Sequence, residues 1–133
     1  MSPGLIWLAM AISPAGGPPA ADTLPRQVAE AQIAAFNRRD LDGFMALYAD
    51  DAVVAEFPSG KILWQGKAAI RERYDAMFKG GNAPTVAVPT RVVDGPFVVD
   101  YETWPAKPGE RDHATWMYEI RGGLIRRGWT IRM

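Results

Sequence analysis

The chain has 133 residues, 48% of them hydrophobic and 23% charged, and its fifteen basic and fifteen acidic side chains cancel at neutral pH. That size and balance describe one globular domain and exclude a multidomain or wholly disordered polypeptide. With no cysteine and a single histidine, the chain cannot build disulfides, zinc–thiolate centres, thiol nucleophiles or a histidine-rich metal site. Its basic clusters at Arg38-Arg39 and Arg126-Arg127 are short, so it lacks the broad positive field that nucleic acid or an anionic membrane requires.

In chain order, the apolar run Gly4 to Ile12 is too short to span a bilayer, and residues 13–21 mix small residues with helix breakers. A secretory signal has this shape, with small-residue exits at Ser13-Pro14-Ala15 or Ala20-Ala21, although a basic leader is missing. Residues 1–21 are therefore read as a signal-like or disordered segment, and residues 22–133 as the folded domain. The expected destination is periplasmic or secreted, or cytoplasmic if the apolar run is no signal.

Thr23 can cap a first helix in which Leu24, Val28, Ala31 and Ala35 share a stripe that Ile33 and Phe36 broaden, and Asn37-Arg38-Arg39 ends it. Asp40 then caps a shorter helix with Leu41, Phe44, Met45 and Tyr48 at helical spacing. Ala52 to Phe57 and Lys61 to Gln65 read as short strands joined by a Pro58-Ser59-Gly60 turn. Ile70, Tyr74, Met77 and Phe78 mark a third helix, stopped by Gly80-Gly81.

Beyond Ala83 the pattern has period two. Thr85 to Val93 leads through Asp94-Gly95, a type I′ hairpin signal, into Phe97 to Thr103, and Asp112 to Arg121 leads through Gly122-Gly123 into Leu124 to Met133. The polar, proline-bearing segment between the hairpins, Trp104 to Arg111, reads as a loop at the rim of a site or in solvent. Three helices followed by long antiparallel strands define an α+β domain with the helices on one face of the sheet.

Three stretches in order, Ala34 to Val53, Gly66 to Arg71 and Tyr118 to Ile125, resemble the nuclear transport factor 2-like superfamily, and within it the ketosteroid isomerase and polyketide cyclase-like (SnoaL-like) branch. The resemblance implies a cone: a strongly curved antiparallel sheet whose concave face is closed by three N-terminal helices around an apolar pocket, often a homodimer through the outer face of the sheet. It says less about activity, because one fold hosts many functions.

In the register that this resemblance implies, Val98, Asp100, Glu102 and Trp104 face inward, as do Ala114, Trp116, Tyr118 and Ile120, since alternate residues share a face. On the last strand Gly128, Thr130 and Arg132 would follow, or Trp129 and Ile131 if the register slips by one. Glu56 aligns with the proton-shuttling carboxylate of the isomerases, and desolvation inside an apolar cone would raise its pKa. Gln32 and Trp116 stand where those enzymes place a tyrosine and a protonated aspartic acid. They can donate hydrogen bonds but are not acids, so steroid isomerisation is not implied with any force; Tyr118 could supply a phenol instead.

Two acids on one inward face, Asp100 and Glu102, would lie about 7 Å apart and must share protons or find a cation. Arg132 is the first candidate, ahead of Arg126 and Arg71. A divalent metal held by Glu56, Asp100 and Glu102 lacks any recognised ligand spacing. His113 falls on the opposite face, at the rim or a dimer surface. Phe36, Trp64 and Trp116 would suit a flat apolar ligand.

The expectation is a domain that binds a small apolar or aromatic carbonyl compound, without cofactor. If catalytic, it abstracts protons or isomerises, with Glu56, Asp100 and Tyr118 in catalytic roles and Gln32, Phe36, Trp64, Glu102, Trp116 and Arg132 binding substrate. The alternative is a non-catalytic ligand-binding or protein-interaction domain.

Overall fold

A computed structural model of the chain describes residues 23–131. The signal-like segment, and Arg132 with it, lie outside the described residues. The elements are α1 (Thr23–Arg38), α2 (Leu41–Met45), β1 (Tyr48–Phe57), β2 (Ile62–Gln65), α3 (Lys67–Lys79), β3 (Ala87–Asp94), β4 (Phe97–Thr103), β5 (His113–Arg121) and β6 (Leu124–Ile131). Among the described residues, no helix is long and apolar enough to cross a membrane.

Thr23 already lies within α1 rather than ahead of it. The helix ends at Arg39, whose φ of 60° is the left-handed turn that releases the chain. The Arg39 guanidinium donates to the carbonyls of Phe36, Ala83 and Pro84. The Asn37 amide donates to the Val86 carbonyl at 2.9 Å and accepts from its N–H at 2.8 Å. Together they fasten the α3–β3 loop to the end of α1. Asp40 caps α2 by accepting from the Gly43 N–H at 3.0 Å. Tyr48, expected to continue that helix, instead begins β1.

The fold is α+β, with one open six-stranded sheet ordered β2-β1-β6-β5-β4-β3. The expected all-antiparallel sheet needs one correction: β1 and β6 are parallel, with Val54 beside Gly128 and Glu56 beside Thr130. That pairing joins segments some seventy residues apart, so no turn signal announces it.

Gly122 and Gly123, with φ of 60° and 76°, make the β5–β6 turn the type I′ one. The β3–β4 turn is not of that type, because Pro96 follows Gly95 and its ring fixes φ negative. In β6 a register shift opposite Glu119 and Ile120 leaves Gly128 and Thr130 inward and Trp129 outward. The inner face packs on the helices through Val28, Phe44, Met45, Ile70, Val98 and Ile125, all buried.

Candidate functional site

Between the helices and the inner face of the sheet lies a cavity of about 290 Å³. Strand alternation builds its floor: Glu102 from β4, Trp116 and Tyr118 from β5, and Thr130 from β6, on neighbouring strands in register. Helix spacing builds the roof, with Gln32 and Phe36 one turn apart on α1, Phe44 on α2, and Tyr74 and Met77 on α3. Arg73, Asn82 and Arg111 line it where it opens to solvent, since all three are exposed.

Glu102 is the ionisable group of the floor, only 7% exposed. Burial pushes its pKa up to about 8, with the charge of Asp100 adding to the rise; a hydrogen bond from Tyr118 and the charge of Arg91 act the other way without reversing it. The Tyr118 hydroxyl stands 3.5 Å from the carboxyl, a long contact. At neutral pH Glu102 is mostly a neutral carboxylic acid, able to donate a hydrogen bond, and its minor carboxylate form can accept a proton.

The phenols around it stay protonated. Burial raises Tyr48 and Tyr118 well above the ordinary tyrosine value, with other phenols and nearby Glu102 adding to it, and Tyr74 rises through burial and the charge of Glu102, with Arg73 acting the other way. Tyr48 donates to the Gln32 carbonyl oxygen at 2.5 Å, which fixes the amide and turns its NH₂ toward other partners. Trp116 and Tyr118 stack nearly parallel, ring centroids 5.9 Å apart. The Trp104 indole N–H is already committed to the Arg111 carbonyl at 2.8 Å.

Asp100, two residues before Glu102 on the same face, is completely buried but does not line the cavity. Arg91 on β3 holds both its oxygens, Nε to Oδ1 at 2.7 Å and Nη2 to Oδ2 at 2.9 Å. Glu30 on α1 approaches the same guanidinium at 3.7 Å. The cation is therefore supplied by the neighbouring strand. Arg71, considered from sequence, instead pairs with Asp42, Arg126 is exposed, and Arg132 is not among the described residues. The signal for Arg91 was present in the β3–β4 pairing, which sets it directly opposite Asp100.

Of the residues singled out from sequence, Gln32, Phe36, Glu102, Trp116 and Tyr118 are brought together around the cavity. Glu56 is not among the lining residues; half-buried at the end of β1, it accepts from the Ser59 hydroxyl at 3.0 Å. Trp64 stands behind the wall, its ring 6.3 Å from that of Tyr74 and covered by the Arg73 guanidinium. Glu56, Asp100 and Glu102 do not converge, and among the described residues no three acids or histidines are grouped to hold a metal. His113 is exposed on the outer face beside Asp112 and Tyr101.

Residues 29–128 match the SnoaL-like domain. The chain belongs to the SnoaL-like family. An uncharacterized cystatin-fold protein of Novosphingobium aromaticivorans is 25% identical at a TM-score of 0.67, over 81% of this SnoaL-like chain and 97% of that one. A Kribbella flavida protein assigned as a ketosteroid isomerase by similarity is 19% identical at a TM-score of 0.67, over 81% and 76%. A Mycobacterium tuberculosis protein solved with estradiol-17β-hemisuccinate is 18% identical at a TM-score of 0.66, over 80% and 92%. At these identities the last two speak for the fold of the SnoaL-like chain and not for its chemistry.

Proposed function

We propose that this SnoaL-like protein binds a small, largely apolar molecule carrying a carbonyl group in the helix–sheet cavity, and that Glu102 exchanges a proton with it. The observation that carries the reading is a carboxyl group with a pKa near 8 on the floor of an aromatic-lined cavity. A group titrating close to the working pH is suited to general acid and base roles alike. The steroid-like ligand of the M. tuberculosis neighbour supports a ligand of this kind.

In the proposed step the Glu102 carboxylate takes a proton from the carbon beside the carbonyl and returns it to the same or a conjugated position. Negative charge growing on the carbonyl oxygen is met by N–H and O–H donors, for which Gln32, Trp116 and Tyr118 are the lining candidates. Gln32 and Trp116 are not acids and Tyr118 is a weak one, so modest acceleration is expected on simple ketones. Proton chemistry is assigned to Glu102 and not to Glu56, because Glu102 alone of the two lines the cavity.

The test is deuterium uptake from D₂O into an enolisable ketone such as 2-tetralone, followed by proton NMR. Glu102→Gln should abolish catalysed exchange and Glu56→Gln should retain it. The reverse pattern would return the role to Glu56. Saturable binding without exchange in the wild type would leave a ligand-binding domain and remove the catalytic half of the proposal.

A further inference from the structure

Among the described residues, three acidic or basic side chains line the cavity: Glu102 on its floor, and Arg73 and Arg111 where it opens. The arginines come from separate parts of the chain, one from α3 and one from the β4–β5 loop. Among the described residues neither forms a salt bridge, whereas Arg38, Arg71, Arg91, Arg121 and Arg127 all do. Arg73 lies against the Trp64 ring, its central carbon 5.6 Å from the ring centroid, a contact that orients the side chain without neutralising it. Arg111 spends its Nε on the His113 carbonyl at 2.8 Å, and its two terminal nitrogens remain as donors.

We infer that the ligand of this cavity is an anionic amphiphile: a flat apolar body seated between the helices and the sheet, with a carboxylate or similar oxyanion held at the opening by Arg73 and Arg111. This inference rests on the cavity being the ligand site, as proposed above, and adds the charge of the ligand. With Glu102 mostly neutral below pH 8, the lining carries two positive charges and little negative charge to oppose them. A neutral ligand would gain little from that field; an anion of the right length is drawn in and oriented by it, and guanidinium groups match the planar geometry of a carboxylate.

The experiment compares two probes that differ by one charge, 3-(2-naphthyl)propanoate and its primary amide, by titration calorimetry on the wild type at pH 7 and low salt. The acid should bind about tenfold more tightly or better, and the advantage should shrink as salt is raised, as expected for partly exposed charges. In the doubly substituted Arg73→Gln, Arg111→Gln protein the acid should fall to the level of the amide while the amide is unaffected. Equal binding of both probes by the wild type, or an acid preference that survives the double substitution, overturns the inference and leaves the cavity reading standing. Binding of neither probe overturns both.

Discussion

Arg91 and Asp100 face each other across β3 and β4 and close a two-point ion pair, with the carboxylate fully buried and the guanidinium side chain 12% exposed. The pair binds the edge strand to the sheet and reaches α1 through Glu30. It also keeps a negative charge close to Glu102, which is part of why that group resists ionisation.

Breaking the pair from one side should be costly. Asp100→Asn leaves the guanidinium only the more distant and exposed Glu30 as counter-charge, and Arg91→Met leaves the Asp100 carboxylate buried without a cation, each expected to lose about 3–5 kcal/mol in urea denaturation. The double Arg91→Met, Asp100→Leu protein should regain most of that loss. If the single variants are as stable as the wild type, the pair does not have the burial described.

Glu102 should impose a pH dependence on stability of a defined sign. Its folded pKa, about 8, is raised above the ordinary 4.5, so between these values the folded protein holds a proton that the unfolded chain has released. Its contribution is full below about pH 4.5 and is lost as pH rises toward 8, a change on the order of a few kcal/mol. Burial is the main cause of this rise; among the neighbouring groups Asp100 adds to it, and Tyr118 and Arg91 oppose it. Melting temperatures from pH 5.5 to 8.5 should therefore decline more steeply in the wild type than in Glu102→Gln.

The Tyr48–Gln32 hydrogen bond joins β1 to α1 within the buried interior. Tyr48→Phe strands the amide oxygen of Gln32 and should cost about 1–3 kcal/mol. Adding Gln32→Leu, which removes the stranded group, should give back part of it. Additive losses in this double-mutant cycle would show that the two residues are not coupled.

Gly128 sits beneath the Tyr118 ring, where an added Cβ would meet ring carbons at 3.6 and 3.7 Å and a Val54 methyl at 3.7 Å. These are ordinary contacts, so Gly128→Ala should fold normally with stability changed by less than about 1 kcal/mol. Gly128→Leu should overpack the site, cost about 1–3 kcal/mol and weaken binding of the naphthyl probes by displacing Tyr118.

Strand alternation made most of the cavity floor readable. Glu102, Trp116 and Tyr118 share a face because two-residue periodicity leaves no other choice, and Gly128 and Thr130 kept theirs because the register shift in β6 precedes them. What stayed hidden was non-local. Arg91 has no feature of its own that marks it as a partner of Asp100; only the pairing of β3 with β4 does so. Tyr74 and Phe44 occupy helical stripes that read equally as plain core, and their place on the roof follows from how α2 and α3 cross the sheet. Arg73 and Arg111 lie on exposed positions where charge is unremarkable until the cavity between them is known.

The side-by-side run of β1 and β6 carries a consequence for how the molecule assembles. Among the described residues, β6 is the strand that joins the β1–β2 ribbon to the β5–β4–β3 meander within the sheet. Until residues 124–131 have left the ribosome, the two halves have no shared ladder, and the ribbon must wait as a nascent fragment with one flank unpaired. Joining the two halves is thus a long-range closure, the kind of contact that forms slowly.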